Sequence, residues 1–195
     1  REGGNDKKAL QIHQNLLLRK GMNNYEKVQL YKNLSLDYYQ LNNLDKSIEY
    51  CKLITHIENF NDWANKQLIK LFKEKNDWKS AINFLKIYLK TNNKNDNAKI
   101  ALYKIQEGRI LDLNKDFKLS RKLFEESLDL NKDLFICYYF IGNSYASESN
   151  EVYNNAINIE KNLDGSLDKN EQSQKLKLEA ENILSKSIPI WSHFI

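Results

Sequence analysis

Apolar residues recur along the chain at intervals of three and four positions, the pattern of amphipathic α-helices. The clearest runs are Leu68, Ile69, Leu71 and Phe72, then Ala81, Ile82, Leu85, Tyr88 and Leu89. Short polar breaks separate such runs at residues 42–45, 75–77, 114–116 and 131–133. Each break contains an Asn or Asp that can cap the helix that follows it. The sequence therefore predicts an all-α protein.

The helical segments repeat with a regular period. Segment 31–54 aligns with segment 65–88, which places Ser47 and Ala81 34 residues apart, the tetratricopeptide period. A third copy covers 104–127. We therefore predict a tetratricopeptide-repeat, right-handed solenoid of about four helical hairpins, in which neighbouring hairpins supply each other's core. The alternative is an unrelated helical bundle.

The predicted repeat region covers residues 1–146, and a different segment follows it. The region comprises a half-repeat at 5–20, repeats at about 23–57, 60–91 and 96–130, and the start of a fourth at 133–147. Residues 147–186 leave the pattern and are interpreted as an acidic helical insert, an appendage with helices at about 150–162 and 170–185 that a turn at Asp164 and Gly165 joins. Residues 187–195 contain Pro189, which a first helical turn tolerates. They are expected to start a truncated helix, the delayed second helix of the fourth hairpin.

Each hairpin needs small residues where its two helices cross closely. Ser35 and Ser47 occupy these positions in the first full repeat, and Gly108 and Ser120 occupy them in the third. We expect each pair to face one another across its hairpin. Ile69 is larger than expected at the matching position of the second repeat, so that hairpin should be splayed or offset by Ala81.

The sequence has no pattern of catalytic or metal-binding residues. It contains no glycine-rich phosphate loop, no His-Glu-x-x-His motif and no Cys-x-x-Cys motif. Cys51 and Cys137 are interpreted as small apolar core residues, and His13 as a packed histidine on the first helix. We therefore predict a protein that is not an enzyme and that holds no cofactor or metal.

The net charge of +4 is unevenly distributed. Residues 1–146 hold 25 Lys and Arg against 18 Asp and Glu, whereas residues 147–181 hold 4 Lys against 8 acidic residues. This distribution favours a basic surface for an acidic partner, with an ordinary solvated surface as the alternative. Nucleic acid is not expected as the partner, because phosphate backbones usually require a more basic, Arg-rich domain.

The predicted partner-binding site is the concave groove, which the first helix of each tetratricopeptide hairpin lines. Lys66, Lys70 and Lys73 share one helical stripe there, and basic groups beside Tyr and Trp suit an extended acidic peptide. An ordinary lysine-rich helix face is the alternative. Leu36 stands where clamps for peptide C-termini carry Asn, so such a clamp is not expected. The predicted groove residues are Lys32, Tyr39, Trp63, Lys66, Lys70, Lys73, Arg109, Tyr139 and Asn143.

Three segments of the chain resemble a known bacterial family. They are REGGNDKKALQIHQNLL at the start, LYKNLSLDYYQLNNLDKSIEY at 30–50 and LIKLFKEKNDWKSAI at 68–82. They are similar to the lipopolysaccharide assembly protein B family, and the string from Ile12 to Leu16 is the most specific part. The resemblance covers residues 1–146 and leaves out the acidic insert.

The resemblance implies an adaptor and not an enzyme. Members of that family have an N-terminal inner-membrane anchor, a cytoplasmic repeat array and a C-terminal rubredoxin-like zinc ribbon. They link a membrane AAA+ protease to the deacetylase that commits carbon to lipid A. The implied partners are therefore a membrane protease and a lipid A biosynthetic enzyme, and the implied location is the cytoplasmic side of the inner membrane. The four cysteines of the ribbon have no counterpart in this sequence. A generic tetratricopeptide adaptor for another cell-envelope or secretion client is the alternative.

Overall fold

The computed structural model describes residues 6–57, 61–161 and 167–193, which form helices and turns with no strand among them. The chain divides into two compact units, Arg1–Asp96 and Asn97–Ile195. The helices of the first unit are α1 (Asp6–Leu16), α2 (Asn24–Gln40), α3 (Leu44–Ile57), α4 (Asp62–Glu74) and α5 (Trp78–Thr91). Those of the second unit are α6 (Asn97–Leu113), α7 (Phe117–Leu130), α8 (Ile136–Lys161), α9 (Leu167–Ser185) and α10 (Ser187–Trp191).

Consecutive helices pack as hairpins within each unit. In the first unit α2 pairs with α3 and α4 with α5, while α1 lies on α2. In the second unit α6 pairs with α7, α7 packs on α8, and α8 carries both α9 and α10. The predicted fold class is confirmed: the protein is all-α and is built from helical hairpins of the tetratricopeptide type, with extra helices near the C-terminus.

Each unit has its own apolar core at the contacts between helices. Buried Val28, Ile54 and Ala64 form part of the first core. Ile105, Phe124, Cys137 and Ile141 form part of the second core. These positions are the apolar ones of the helical periodicity, so burial of that face stabilises each hairpin by about 25 cal/mol per Å² of apolar surface.

The half-repeat helix α1 is attached by a polar contact. His13 is partly buried on α1, and its Nδ1 forms a hydrogen bond with the carboxyl group of Asp37 on α2, whose side chain is 3% exposed. The predicted packed histidine is therefore also a polar link between the two helices.

The turns of the α2–α3, α4–α5 and α6–α7 hairpins share the same backbone geometry. Asn42, Asn76 and Lys115 adopt left-handed conformations, with φ of 57°, 57° and 66°. The amide of the next residue then donates to the carbonyl five positions back, at 2.8, 2.9 and 2.9 Å. This Schellman-type closure satisfies carbonyl groups at the end of the first helix. Asn tolerates that conformation, which explains its use at two of the three turns.

The first three polar breaks supply the predicted helix caps. The side chains of Asn43, Asp77 and Asp116 each accept a hydrogen bond from the backbone amide three residues later. The fourth break differs from the prediction. There Asn131 accepts from the Asp133 amide, and α8 begins only at residue 136.

The small residues of the first full hairpin meet as expected. Ser35 Oγ lies 3.0 Å from Ser47 Oγ, and each hydroxyl also bonds the other residue's carbonyl, at 3.1 and 2.8 Å. Ser35 Oγ is also 3.0 Å from Cys51 Sγ. Because small side chains meet here, α2 and α3 approach closely enough for side-chain hydroxyls to reach the opposite backbone.

The side chain nearest to Gly108 across the third hairpin is Phe124, one helical turn beyond the predicted Ser120. A Cβ at position 108 would lie 2.7 Å from a ring carbon of Phe124, which is 1% exposed. The Ser120 hydroxyl donates a hydrogen bond to Asp112 Oδ1 at 3.4 Å, and Asp112 lies one turn after Gly108 on α6. In the first hairpin Cys51 occupies the position of Phe124, and Ser35 occupies that of Gly108. Cys51 leaves room for a serine, whereas the larger ring of Phe124 leaves room only for glycine.

Gly142 makes the same kind of contact with the C-terminus of the second unit. It lies 34 residues after Gly108, and a Cβ there would overlap the indole of Trp191 on α10. As predicted, a helix starts at Ser187, and it packs on α8. Trp191 on α10 thus packs against Gly142 in the same way that Phe124 on α7 packs against Gly108.

The predicted start of the first insert helix, at about residue 150, is wrong. Helix α8 runs unbroken from residue 136 through 161, across the expected boundary at 146–147. Residues 146–150 contain no Gly or Pro to stop it. The second predicted helix, at 170–185, is present but begins three residues earlier. The turn expected at Asp164 and Gly165 lies outside the described residues.

Helix α9 packs directly along the second half of α8. Ser149 donates to the Ala180 carbonyl at 2.7 Å, and Ser173 donates to the Ala156 carbonyl at 3.2 Å. All four residues are buried. Small residues on both helices thus allow the same close approach as in the repeats, and tertiary packing keeps α8 helical beyond the repeat.

We predict that Gly108→Leu lowers the urea midpoint of unfolding. Overpacking against Phe124 should destabilise the fold by about 1–3 kcal/mol, which outweighs the helix-propensity gain of about 1 kcal/mol. The double variant with Phe124→Ala should be destabilised by less than the sum of the two single variants. The coupling energy should be at least about 1 kcal/mol. Purely additive effects in this double-mutant cycle would show that the two residues do not touch.

Candidate functional site

The predicted groove residues fall at matching positions of the first helices. Within the first unit Lys32 and Lys66 are equivalent, as are Leu36 and Lys70, and Tyr39 and Lys73. In the second unit the equivalent positions are Ile105 and Tyr139, Arg109 and Asn143, and Asp112 and Ala146. We call Lys32, Lys66, Lys70 and Lys73 the basic row. It lies on α2 and α4 of the first unit.

Two lysines of the basic row lie over aromatic rings of the neighbouring first helix. Lys32 Nζ on α2 is 5.7 Å from the ring centroid of Trp63 on α4. Lys70 Nζ on α4 is 4.1 Å from the centroid of Tyr39 on α2. Cation–π attraction at such distances holds each ammonium group near its ring at exposed sites by about 0.5–1 kcal/mol. The contacts link α2 to α4, so Lys32, Tyr39, Trp63 and Lys70 form one continuous surface.

Glu74 is part of this surface, and the sequence analysis missed it. It accepts a hydrogen bond from the Tyr39 hydroxyl at 2.9 Å and lies 3.9 Å from Lys70 Nζ. The spacing of four residues from Lys70 is the signal that could have revealed it. Half of the Lys70 side chain is exposed, so this ion pair is screened by water and offsets the positive charge only weakly.

Lys66, Lys70 and Lys73, which were predicted to share one stripe of α4, have different surroundings in the structure. Lys66 Nζ lies 5.2 Å from the ring of Tyr88 on α5, the second helix of its own hairpin. Lys70 faces Tyr39 in the opposite hairpin. Lys73 is half-buried at the far end of α4. The basic row is therefore spread across the exposed side of α4 and does not project in one direction.

In the second unit Arg109, Tyr139 and Asn143 gather around Phe140. The Arg109 guanidinium is 5.6 Å from the Phe140 ring, and Tyr139 meets that ring edge-on at 5.7 Å. Arg109 and Asn143 line a cleft of about 350 Å³ together with Phe140 and Asp112. Phe140 and Asp112 are not among the residues predicted for the groove, although Asp112 occupies the position equivalent to Tyr39. The cleft thus offers one cation, one carboxylate and an aromatic floor.

The described residues contain no arrangement suited to catalysis by a metal or a thiolate. No group of three or more His, Cys, Asp or Glu side chains within them is placed to hold a metal ion. Burial raises the pKa of Cys137 to about 11. Burial also raises the pKa of Cys51 to about 11, against the opposing effect of the hydrogen bond with Ser35. Both thiols are free and stay protonated near neutral pH, where the thiol is a poor nucleophile.

No candidate for a membrane span is found among the described helices. None of them combines the length and the apolar character needed to cross a bilayer.

Comparisons with known proteins leave the family open. No protein-family model matches the chain, and no curated protein matches it. The resemblance to the lipopolysaccharide assembly protein B family therefore stays a hypothesis.

Solved structures give only weak similarity. A crystal structure of MamA is 15% identical, with 97% of this chain and 90% of that chain covered and a TM-score of 0.40. BtubC from P. vanneervenii is 14% identical, with 97% and 74% covered and a TM-score of 0.40. A Thermobaculum terrenum O-GlcNAc transferase mutant is 12% identical, with 69% and 26% covered and a TM-score of 0.34. Similarity at this level indicates no shared function, so function is argued from this chain's own side chains.

We predict that both thiols of the native protein are unreactive toward a disulfide reagent such as Ellman's reagent at pH 8. The raised pKa values keep them protonated, and burial denies access. Labelling should become fast when urea unfolds the chain. Rapid modification of either thiol in native buffer would contradict the packing described for α3 and α8.

Proposed function

We propose that this protein is a non-enzymatic interaction scaffold whose basic row binds an extended acidic segment of a partner protein. The observation that carries the proposal is the cation–π pairing of Lys32 with Trp63 and of Lys70 with Tyr39. Pairing with a ring restricts each lysine without neutralising its charge, so less side-chain entropy is lost on binding. An acidic segment crossing α2 and α4 would meet two positioned cations and two aromatic rings.

The electrostatics of α4 support the same proposal. Lys66 and Lys70 lie one helical turn apart on α4, where like charges repel by a few tenths of a kcal/mol, and an acidic ligand would relieve that repulsion. Glu74 is the carboxylate that lies within the row, and it already accepts the Tyr39 hydroxyl and pairs with Lys70. A ligand carboxylate could displace this exposed pairing at small cost.

The cleft around Phe140 supports a second contact on the same partner or on another one. Arg109 could pair with a carboxylate, Asn143 could bond a peptide group, and Phe140 could receive an apolar side chain. We assign this cleft a supporting role, because Asp112 on its lining reduces its preference for anions.

A narrower form of the proposal rests on the sequence resemblance alone. It assigns the scaffold to lipopolysaccharide regulation, linking a membrane protease to the lipid A deacetylase at the inner membrane. A scaffold for another cell-envelope or secretion client is the alternative. Co-elution of the purified chain with both purified enzymes would support the narrower form. Failure to bind either enzyme would reject it and leave the general proposal in place.

We predict that replacing Lys66, Lys70 and Lys73 together with Glu weakens binding of a fluorescein-labelled peptide rich in Glu and Tyr. The loss should be about tenfold or more by fluorescence anisotropy, because attraction is replaced with repulsion. Wild-type binding should weaken as salt rises, since exposed charges are screened over about 8–10 Å.

The matched control replaces Lys79, Lys86 and Lys90 on α5 with Glu. This variant has the same net charge in the same unit, and all three lysines are exposed on the second helix of the hairpin. It should bind the peptide within about threefold of wild type, the small effect of exposed charges away from a contact. Equal losses in the two folded variants would show that only net charge matters, and the groove proposal would fail.

We predict that Glu74→Gln has the opposite effect and tightens peptide binding. Removing the carboxylate frees Lys70 and increases the positive potential beside Tyr39. The gain should be about twofold to fivefold at low salt and should vanish at high salt. No change at low salt would show that the peptide does not contact this part of α4.

A further inference from the structure

A second cleft, unrelated to the predicted groove, opens beside α7 in the second unit. Its volume is about 600 Å³, and α7, α8 and the C-terminal end of α9 supply its walls. We call it the α7 cleft. Its lining includes four cations, Lys118, Arg121, Lys122 and Lys186, and two apolar side chains, Leu119 and Ile183. Such a volume is within the range of small-molecule sites.

Arg121 is a buried cation whose hydrogen bonding is incomplete. The residue is 9% exposed, and its Nη1 lies 2.7 Å from Glu148 and 3.5 Å from Ser144. Its guanidinium carbon is 4.0 Å from the ring of Tyr145. Within the described part of the chain, its other N–H groups have no partner. Arginine carries five N–H donors, and Arg121 lines the α7 cleft, so these remaining groups can donate to a ligand there.

Two further cations of the α7 cleft are uncommitted. Lys118 and Lys186 are exposed, and neither has an ion-pair partner among the residues that the structure describes. Lys122 is 4.0 Å from Glu126, on its own helix. Lys118 and Lys186 come from separate elements, since Lys118 lies on α7 and Lys186 follows α9. A ligand between them would be held from two sides.

Most of the acidic groups on the lining are already engaged. Glu148 is paired with Arg121, and Asp116 accepts the Leu119 amide as the cap of α7. Glu125 is the remaining carboxylate of the lining. An anion in the α7 cleft would therefore meet the free N–H groups of Arg121 and two uncommitted lysines against one uncommitted carboxylate.

We propose that the α7 cleft binds a small organic oxyanion, a carboxylate or a phosphate that carries a short apolar group. The oxyanion accepts hydrogen bonds from the Arg121 N–H groups that have no protein partner, and it is flanked by Lys118 and Lys186. A guanidinium binds carboxylate and phosphate in the same planar geometry. The apolar group packs on Leu119, which is 42% exposed, and on half-buried Ile183. This binding is independent of the proposed scaffold function.

The test is an NMR titration of the full chain with two probes, phenyl phosphate and 3-phenylpropionate. Sodium chloride at the same ionic strength is the reference. We expect saturable shifts of the Arg121 side-chain Nε–H signal and of the Leu119 and Ile183 amides. Binding of only one probe would identify which oxyanion the α7 cleft prefers.

Two double variants decide whether the shifts report this cleft. Lys118→Ala with Lys186→Ala should weaken probe binding by about tenfold, since two charge contacts are lost. Lys132→Ala with Lys175→Ala removes the same charge from exposed positions of the same unit that do not line the α7 cleft, and should leave affinity unchanged. Shifts that do not saturate, that centre on the basic row, or that weaken equally in both variants would overturn the proposal.

Discussion

The close crossing of helices at small residues is the constraint on which the rest of this structure depends. Ser35 against Ser47 and Cys51, and Gly108 against Phe124, bring the two helices of a hairpin close together. Where the partner side chain is small, serine is tolerated, and where it is a phenylalanine ring only glycine fits. The side of each first helix that makes this contact is buried, so the same residues also determine which side remains exposed for partners.

The functional surfaces follow from that geometry. Within the first unit, the exposed sides of α2 and α4 are near enough for Lys32 to reach Trp63 and for Lys70 to reach Tyr39. In the second unit the pattern departs from the repeat, because α8 continues past the length of a repeat helix and pairs with α9. The short α10 then occupies the place of a second helix against Gly142. The α7 cleft with its buried arginine is lined by α7, α8 and the C-terminal end of α9.

Local sequence signals predicted much of the fold, because they act over a few residues. Apolar spacing located the hairpins, and Asp77 and Asp116 identified two helix starts correctly. The signals failed where distant packing decides the outcome. Nothing near Ser149 shows that Ala180 will pack against it and keep α8 helical, and nothing near Gly108 shows that Phe124 will pack against it. The same limit applies to the binding sites. The repeat pattern predicted the positions of the basic row, whereas the polar contacts of Arg121 are with residues 23 and 27 positions away in the sequence.

The most direct test of this account is the proton NMR spectrum of the α-protons of Gly108 and Gly142. Each glycine lies against the ring of a single aromatic residue, Phe124 or Trp191. The account predicts that ring currents displace these signals strongly from random-coil values and that each shows nuclear Overhauser contacts to its ring. Unshifted signals without such contacts would contradict the close crossing of helices from which the rest of the structure has been derived.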